Sequence, residues 1–390
     1  MRTFLKVRSD KDATNAAVAE GSILKRRNKT KNVLTCFLAL SFFAMVMPGC
    51  RREQVADKPS ADQTKVAAKT MHGQNTLQGQ LVAGLGGTTG SATGPGGYLF
   101  VPDSKAGTIL QIDPKTGDYT IFASGLPQLI PEVDPRVGGV TDVAFRGGTA
   151  YALVTLVDDP LFPTGQVNGI YRIDGPNSYT IIADIGAFNV AHPPAGIEFE
   201  VATGVLYAIQ TYRDGFLVTD GHLNRVLYVT LDGTIEIVRQ FGDIVPTGLA
   251  VHGNQIYLSQ AGPIPHLPEN GKVVSFSLHS STVTNVASGA PLLVDVETGR
   301  GQTLFALSQG IFSGGIPGNP ALPNTGTLLR VNADGTFSII ADKLDIPTSM
   351  EIIGNTAYII TLTGEVWMVD NIAGPPFGQP NQKQLLHPHG

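Results

Sequence analysis

Short runs of alternating apolar and polar residues, separated by glycine-containing turns, recur from about residue 80 to residue 370. An alternation with a period of two is typical of β-strands that bury one face. Two pairs of such runs flank Asp232-Gly233 and Asp334-Gly335, which are strong signals for tight hairpin turns, and Thr116-Gly117 is a weaker one. The pattern therefore predicts an all-β protein made of antiparallel hairpins.

The predicted strands fall into repeating units of four. Five units close with similar strands, at residues 119–123, 179–183, 235–239, 283–287 and 337–341. The first strand of each unit opens near a Thr-Gly-like pair, and these pairs recur at intervals of 44 to 62 residues: Thr89-Gly90, Thr141-Asp142, Thr203-Gly204, Thr247-Gly248, Val294-Asp295 and Thr348-Ser349. Four short antiparallel strands repeated at this interval predict a six-bladed β-propeller.

The two ends of the repeat are incomplete in a complementary way. The sixth unit has no fourth strand after Asp370, whereas residues 80–84 resemble a closing strand without a unit of their own. An N-terminal strand that joins the last blade would close the ring and leave no free sheet edge there. The alternative of two β-sandwiches leaves both half-units unexplained.

The N-terminal 50 residues have the pattern of an export signal. An uncharged apolar run at residues 33–47 follows a cluster of five basic residues, and it is short for a membrane-spanning helix. Cys50 follows a small residue, which resembles a bacterial lipoprotein box, although Met47 and Pro48 depart from the usual pattern. We expect an export signal at 1–50, with Cys50 a candidate lipidation site, a polar tether at 51–78, the propeller at 79–372 and a disordered Pro/Gly/Gln-rich tail at 373–390. An ordinary cleaved signal peptide and an uncleaved anchor are the alternatives. The expected location is periplasmic, free or lipid-anchored.

Charge and cysteine content exclude some classes of function. The first 50 residues hold nine of the 27 basic and three of the 32 acidic residues, so the remainder has a net charge of about −11. This balance argues against nucleic-acid binding, which depends on neutralising phosphates. Both cysteines, Cys36 and Cys50, precede the propeller, which therefore has neither disulfides nor thiol chemistry.

The long connections are predicted to share one face of the propeller. Loops between the second and third strands of a blade, and between one blade and the next, lie at the same end, and the long ones are residues 155–168, 260–270, 309–325, 125–140 and 184–202. They are rich in Pro, Gly and apolar residues, which favours an apolar or aromatic ligand, or a protein partner. The candidate binding residues there are His266, His222, His192 and Phe162. Pro265 and Pro268 suggest that His266 is exposed, whereas an ordinary turn explains His222 equally well.

Two aspartates are candidates for a channel metal site. Asp142 and Asp295 open the innermost strands of the second and fifth blades, which are opposite each other in a ring of six. No cofactor is expected in general, but facing carboxylates could hold Ca²⁺ or Mg²⁺. The alternative is that each aspartate caps a nearby backbone amide.

Several stretches resemble the ScyD/ScyE family of propeller proteins found among scytonemin-biosynthesis genes. They include GIYRIDGPNSYTIIADIGAFN, YRDGFLVTDGHLNRVLYVTLDG, VPTGLAVHGNQIYLSQAGPIPHLPENGKVVSF, SGAPLLVDVETGRGQTLFALSQG and NPALPNTGTLLRVNADGTFSIIAD. The resemblance covers most of residues 80–372. It implies an exported propeller and a link to late periplasmic steps in making an indolic-phenolic pigment, and it transfers no catalytic residue.

Two functions from different classes follow from these patterns. The first is a propeller that binds an apolar or aromatic molecule, or a protein, on its insertion-rich face. The second is a metal-dependent hydrolase resembling propeller lactonases. No nucleophile elbow, zinc-protease motif, P-loop or dinucleotide fingerprint is present. Contact with a membrane is expected only through the N-terminal segment.

Overall fold

The computed structural model describes residues 79–316 and 318–374. Its strands form six antiparallel sheets of four strands, and each sheet is one blade. Blade 1 contains β2 (Ala92–Thr93), β3 (Leu99–Asp103), β4 (Thr108–Ile112) and β5 (Tyr119–Ala123). Blade 2 contains β6 (Gly139–Arg146), β7 (Thr149–Thr155), β8 (Gly169–Gly175) and β9 (Ser178–Asp184). Blade 3 contains β10 (Leu206–Tyr212), β11 (Gly215–Asp220), β12 (Arg225–Thr230) and β13 (Ile235–Gln240).

The second half of the chain repeats this arrangement. Blade 4 contains β14 (Pro246–His252), β15 (Gln255–Gln260), β16 (Lys272–Phe276) and β17 (Thr284–Ser288). Blade 5 contains β18 (Leu293–Thr298), β19 (Leu304–Ser308), β20 (Gly326–Val331) and β21 (Phe337–Leu344). Blade 6 contains β22 (Pro347–Ile353), β23 (Thr356–Thr361), β24 (Val366–Asp370) and β1 (Gly79–Val82). Helix α1 (Ile185–Ala191) lies between blades 2 and 3, and single 3-10 turns occupy Pro95–Gly97 and Arg300–Gln302.

The ring closes as the sequence predicts. Strand β1 pairs antiparallel with β24, with Gly79 opposite Met368 and Val82 opposite Val366. The first strands of the blades contact one another in turn, and that of blade 6 contacts that of blade 1. The predicted six-bladed propeller, closed by an N-terminal strand, is therefore confirmed.

The six largest apolar clusters of the core each lie between two neighbouring blades, and a small seventh cluster lies among the connections of blades 4 and 5. The cluster between blades 6 and 1, for example, joins Val82 and Leu99 to Ile360. Each blade thus buries both faces against its neighbours, which is why its middle strands are apolar on both sides. Because no blade has a core of its own, stability depends on ring closure.

The first strands share a register irregularity that locates equivalent residues in different blades. In blades 2, 5 and 6 the ladder with the second strand skips one residue, just before Asp142, Asp295 and Ser349. In blade 4 the skipped residues are Thr247 and Gly248.

The register of blade 3 corrects the residue pair that the sequence placed at the start of its first strand. There the skipped residues are Tyr207 and Ala208, so Thr203-Gly204 lies in the connection before β10 and is not equivalent to the other Thr-Gly-like pairs. Thr203 is buried, and its amide donates to the Asp159 carboxylate from blade 2 (2.9 Å). Its role is therefore to anchor a loop.

The connections define two faces. Because the strands alternate in direction, the long connections within and between blades meet at one end, which we call the insertion face, as predicted. The short connections after the first and third strands form the opposite end, which we call the turn face. The first strand of every blade runs from the insertion face to the turn face. In the described part of the chain, no helix has the length and apolar character needed to cross a membrane.

Candidate functional site

Asp142 and Asp295 occupy equivalent places on opposite sides of the ring, just beyond the register irregularity of their strands. Each accepts a hydrogen bond at Oδ1 from the next amide of its own strand, that of Val143 or Val296, at 2.8 Å. Each also accepts one at Oδ2 from the following blade, where the amides of Ile209 and Met350 donate at 2.8 Å. The two carboxylates therefore join neighbouring first strands, which is the amide-capping role that the sequence left as the alternative to metal binding.

The blade before each aspartate has a glycine facing it, because the aspartate carboxylate occupies the space that a side chain at the glycine position would need. A Cβ on Gly90 would lie 2.3 Å from Asp142 Oδ1, and a Cβ on Gly248 would lie 2.2 Å from Asp295 Oδ1. The arrangement of glycine, aspartate and amide donor in blades 1–3 is thus repeated in blades 4–6. Burial raises the pKa of both aspartates, and their backbone hydrogen bonds oppose that rise.

A cavity of about 190 Å³ lies at the centre of the ring, and residues from all six blades line it. Its lining includes no Lys, Arg or His. Its polar side chains include Ser91, Thr93, Asp142, Tyr207, Gln210, Thr211, Asp295, Glu297, Ser349 and Glu351. Small-molecule sites are typically concavities with a few convergent polar groups, so this cavity is the first candidate for a functional site.

Tyr207 forms the floor of the cavity on the side of the insertion face. It stands where blades 2, 4 and 6 have a threonine, and its hydroxyl crosses the channel from blade 3 to donate to the Thr348 carbonyl of the opposite blade 6 (3.1 Å). Burial raises the pKa of Tyr207, and the nearby Asp295 and Asp142 raise it further, so the hydroxyl keeps its proton. At the other end, Thr93 is exposed. The cavity therefore opens toward the turn face.

Glu297 and Glu351 place two further carboxyl groups in the cavity, two residues beyond Asp295 and Ser349 on adjacent blades. Glu351 accepts a hydrogen bond from Thr93 Oγ1 at 2.7 Å, and Glu297 accepts one from the Thr298 amide at 3.3 Å. Burial raises the pKa of Glu351 to about 8, and the neighbouring Asp295 adds to the rise. Burial and the proximity of Glu351 likewise raise the pKa of Glu297 well above its usual value. Burial thus favours the protonated form of both glutamates.

His266 is not exposed, contrary to the expectation from its flanking prolines. Its side chain is 7% exposed, its Nδ1 lies 2.7 Å from the Gly262 carbonyl, and its ring packs edge-on against Phe312 of the next blade. The neighbouring insertion covers it, which the local sequence does not show. Burial lowers its pKa.

The other candidates from the insertion face are spread over separate connections. His222 accepts hydrogen bonds at Nε2 from the amides of Glu200 and Val201 (3.0 and 3.1 Å), and burial lowers its pKa. Within the turn that the sequence offered as the ordinary explanation, the His222 carbonyl accepts from Asn224 Nδ2 (3.4 Å) and the Asp220 carboxylate accepts from the Leu223 amide (2.9 Å). His192 is exposed and stacks on Phe188 at the end of α1, while Phe162 is partly buried. The structure does not show these residues converging on a common cavity.

Helix α1 is held on blade 3 by a buried ion pair. Arg225, fully buried, donates to the His192 carbonyl (2.8 Å) and to Asn189 Oδ1 (2.6 Å). Its Nε lies 3.9 Å from the Asp220 carboxylate, which also accepts from Asn189 (2.7 Å). Arg225 Nε itself has no hydrogen-bond partner, so the pair is held by charge and by the two other donated hydrogen bonds, which position the insertion.

The insertion face nevertheless carries exposed apolar side chains at the tips of its connections. Leu161 and Ile316 are 62% and 64% exposed, and smaller exposed fractions are found for Val190, Ile264 and Leu322. An open groove of about 540 Å³ between blades 1 and 2 is lined mainly by residues 125–131, with Gln166 and Tyr179. The predicted apolar character of this face is thus present in the side chains that it exposes.

Sequence reasoning missed Tyr207, Glu297 and Glu351. A signal for the glutamates was present, because only these two of the six units have an acidic residue two places beyond the opening pair, where the other units have Ala or Leu. Tyr207 was hidden by the displaced alignment of blade 3. Cys50 and the expected export segment, tether and most of the tail lie outside the described residues.

Metal binding at Asp142 and Asp295 has limited support from the geometry. Each oxygen of the two carboxylates already accepts a backbone hydrogen bond. In residues 79–316 and 318–374, no three His, Cys, Asp or Glu side chains form a group suited to a metal ion. The prediction of a divalent cation therefore needs a direct measurement.

Comparisons with known proteins identify the fold. No family model and no curated protein matches the chain. A solved gluconolactonase from Xanthomonas campestris is 14% identical, with 75% of this chain and 88% of that chain covered and a TM-score of 0.51. A putative gluconolactonase is 12% identical over 75% and 91% of the two chains (TM-score 0.49). Virginiamycin B lyase from Staphylococcus aureus is 13% identical over 72% and 93% (TM-score 0.43). The shared feature is the propeller fold.

Proposed function

We propose that this protein is a propeller that binds a small polar molecule in its central cavity, entered from the turn face. The observation that carries the proposal is the cavity itself, with polar side chains from opposite blades around about 190 Å³ of space. Close packing is the rule in protein interiors, so a polar space of this size at the ring centre suggests a site for water or a ligand. Tyr207 limits access from the insertion face, which supports entry from the other side.

The experiment fills the cavity without disturbing the ring. Ala208 lines the cavity and lies beside the floor residue, so Ala208→Leu should occupy ligand space. Ala333→Leu, in an exposed turn, is the matched control. The probes are ethylammonium, ethylene glycol and acetate, and binding is measured by ligand-detected NMR. We expect at least one of them to bind. We expect that binding to weaken at least tenfold in Ala208→Leu only. If none of the probes binds, or if Ala208→Leu binds normally, the cavity is not the site.

A second candidate function is recognition of an apolar or aromatic molecule, or of a protein partner, by the insertion face. The exposed tips Leu161 and Ile316, on the insertions of blades 2 and 5, support it, because each presents a large apolar side chain that a ligand or partner could cover. If the face binds a second copy of the protein, the double variant Leu161→Ser/Ile316→Ser should self-associate only at a higher concentration. If it binds another protein, the double variant should no longer crosslink to that partner. Phe162→Ala tests the aromatic part of the same loop. His266→Ala is less informative because His266 is buried.

The hydrolase alternative is supported by the carboxyl groups with raised pKa. Glu351 and Asp295, with pKa values of about 8 and 7, could donate and accept protons near neutral pH, as hydrolysis requires. The similarity to a gluconolactonase makes a lactone a reasonable first substrate to test, although that similarity lies in the fold. Lactone hydrolysis that disappears in Glu351→Gln, with Ca or Mg found by elemental analysis, would favour an enzyme. Its absence in the wild type under these conditions would favour binding alone.

Export is proposed as the context of either function. The apolar run before Cys50 and the basic residues ahead of it support a periplasmic location. The resemblance to the ScyD/ScyE family makes pigment biosynthesis one setting to examine, and the proposed cavity site does not depend on it.

A further inference from the structure

The hydroxyl groups around the cavity have already used their hydrogens within the protein. Thr93 donates to Glu351 (2.7 Å), Tyr207 donates to the Thr348 carbonyl (3.1 Å), and Ser349 donates to Asp295 (3.2 Å). Since Ser349 donates to Asp295, the 2.9 Å contact between Ser91 and Ser349 is a donation by Ser91. These groups therefore offer a ligand mainly oxygen lone pairs.

Gln210 and Thr211 are the remaining polar side-chain donors. Gln210 donates one of its two Nε2 hydrogens to the Leu249 carbonyl (3.5 Å), and Thr211 donates through its hydroxyl to Gln210 Oε1 (3.4 Å). With no Lys, Arg or His in the lining, the side-chain hydrogens that stay available are the second N–H of Gln210 and those on protonated carboxyl groups. The cavity is therefore an acceptor-lined space whose complement is a molecule rich in N–H donors.

We propose that the central cavity binds a small organic ammonium ion, a primary amine carried on a short apolar body, in preference to an anion or a neutral molecule of the same size. This assignment rests on the proposed function and specifies its ligand class. The volume of about 190 Å³ equals roughly six water molecules at about 30 Å³ each, which suits a molecule of a few heavy atoms. Phe145 and Tyr207 in the lining supply aromatic surface, which favours a cation over an anion.

Binding of a cation should be linked to proton release. The titratable groups that face the cavity are Asp142, Asp295, Glu297, Glu351 and Tyr207, and no basic side chain faces it. Below about pH 8 the Glu351 carboxyl is protonated for much of the time, because burial raises its pKa. An ammonium ion favours the ionised carboxylates, so its affinity should increase from pH 6 to pH 9. A primary amine still carries its proton at pH 9, since its pKa is near 10.4.

A thiol placed in the cavity measures this charge preference without a known ligand. Both native cysteines are replaced by serine in the full chain, and Ala208→Cys then places one thiol in the lining. Its modification is timed with aminoethyl (cationic), methyl (neutral) and sulfonatoethyl (anionic) methanethiosulfonate. Ala333→Cys, in the exposed turn, corrects for the intrinsic reactivity of each reagent. We expect the corrected rate to be at least tenfold higher for the cation than for the anion, and this ratio to fall at least threefold in Glu297→Gln or Glu351→Gln.

Direct titration supplies the second measurement. Ethylammonium should bind the full chain at least tenfold more tightly than ethanol or acetate, more tightly at pH 9 than at pH 6, and more weakly in Glu297→Gln than in the exposed control Glu236→Gln. The ammonium assignment is wrong if the anionic or neutral reagent reacts as fast as the cationic one. It is also wrong if ethanol or acetate binds as tightly as ethylammonium and Ala208→Leu abolishes that binding. In either case the cavity is still the binding site. If the Ala208→Cys thiol reacts with no reagent and no probe binds, both proposals fail.

Discussion

Glu351→Gln should stabilise the propeller at alkaline pH and have little effect at acidic pH. In the folded protein burial raises the Glu351 pKa from 4.5 to about 8, so between these values the folded state holds a proton that the unfolded state has lost. The stability that this group contributes is complete below about pH 4.5 and is lost as the pH rises through about 8. Glutamine cannot ionise, and its amide oxygen can still accept the Thr93 hydrogen bond.

The size of the effect follows from the same shift. A change of about 3.5 pKa units corresponds to about 5 kcal/mol at roughly 1.4 kcal/mol per unit, and this is an upper limit. The Glu351 side chain is partly exposed, and its titration is shared with Asp295 and Glu297, so we expect about 1–3 kcal/mol at pH 9. In a propeller of this size, with about 2 °C of melting temperature per kcal/mol, this is a rise of about 2–6 °C.

The assay is a series of thermal and urea melts at pH 5, 7 and 9. Glu236→Gln, on the exposed face of β13, removes the same charge and serves as the control. The free energy of unfolding of Glu351→Gln, relative to this control, should increase steadily from pH 5 to pH 9. A difference that stays constant with pH, or one that decreases, would show that Glu351 is not a carboxyl group kept protonated by burial.

Three further predictions concern the ring, its joints and the N-terminal segment. Deleting Gly79–Val82 should expose the edge of β24 and lower the melting temperature with onset of aggregation, and an unchanged, monodisperse variant would contradict the closure argument. Asp142→Asn should cost about 1–3 kcal/mol in a urea melt because one of two buried amides loses its acceptor, and a neutral result would refute the joining role. Cys50→Ser should release the mature protein from membranes if Cys50 is acylated, and continued membrane fractionation would instead favour an uncleaved anchor.

Local chemistry in the sequence was sufficient for the architecture. Asp232 accepts the Thr234 amide (3.2 Å) in one of the two hairpins that Asp-Gly predicted, and Asp334 accepts the Thr336 amide (3.1 Å) in the other. Residues 80–84 could be assigned to blade 6 because the count of strands was incomplete at both ends. These signals are short in range, since a turn or an alternating strand is determined by a few adjacent residues.

The contents of the cavity depended on how the blades meet. Glu297 and Glu351 are 54 residues apart, and the packing of blade 5 against blade 6 places their strands side by side. The same is true of His266, whose burial comes from Phe312 of the next blade. In blade 3, Thr203-Gly204 imitated the repeated pair, and only the hydrogen-bond register showed that Tyr207 holds the equivalent place.

The sequence by itself therefore determined the strands, the turns, the number of blades and the apolar character of the insertion face. The tertiary structure decided which carboxyl groups share a cavity, which tyrosine closes it and which histidine is covered. The physical reason is that strand and turn preferences act over a few residues, whereas burial, hydrogen-bond partners and pKa depend on atoms that different blades bring together.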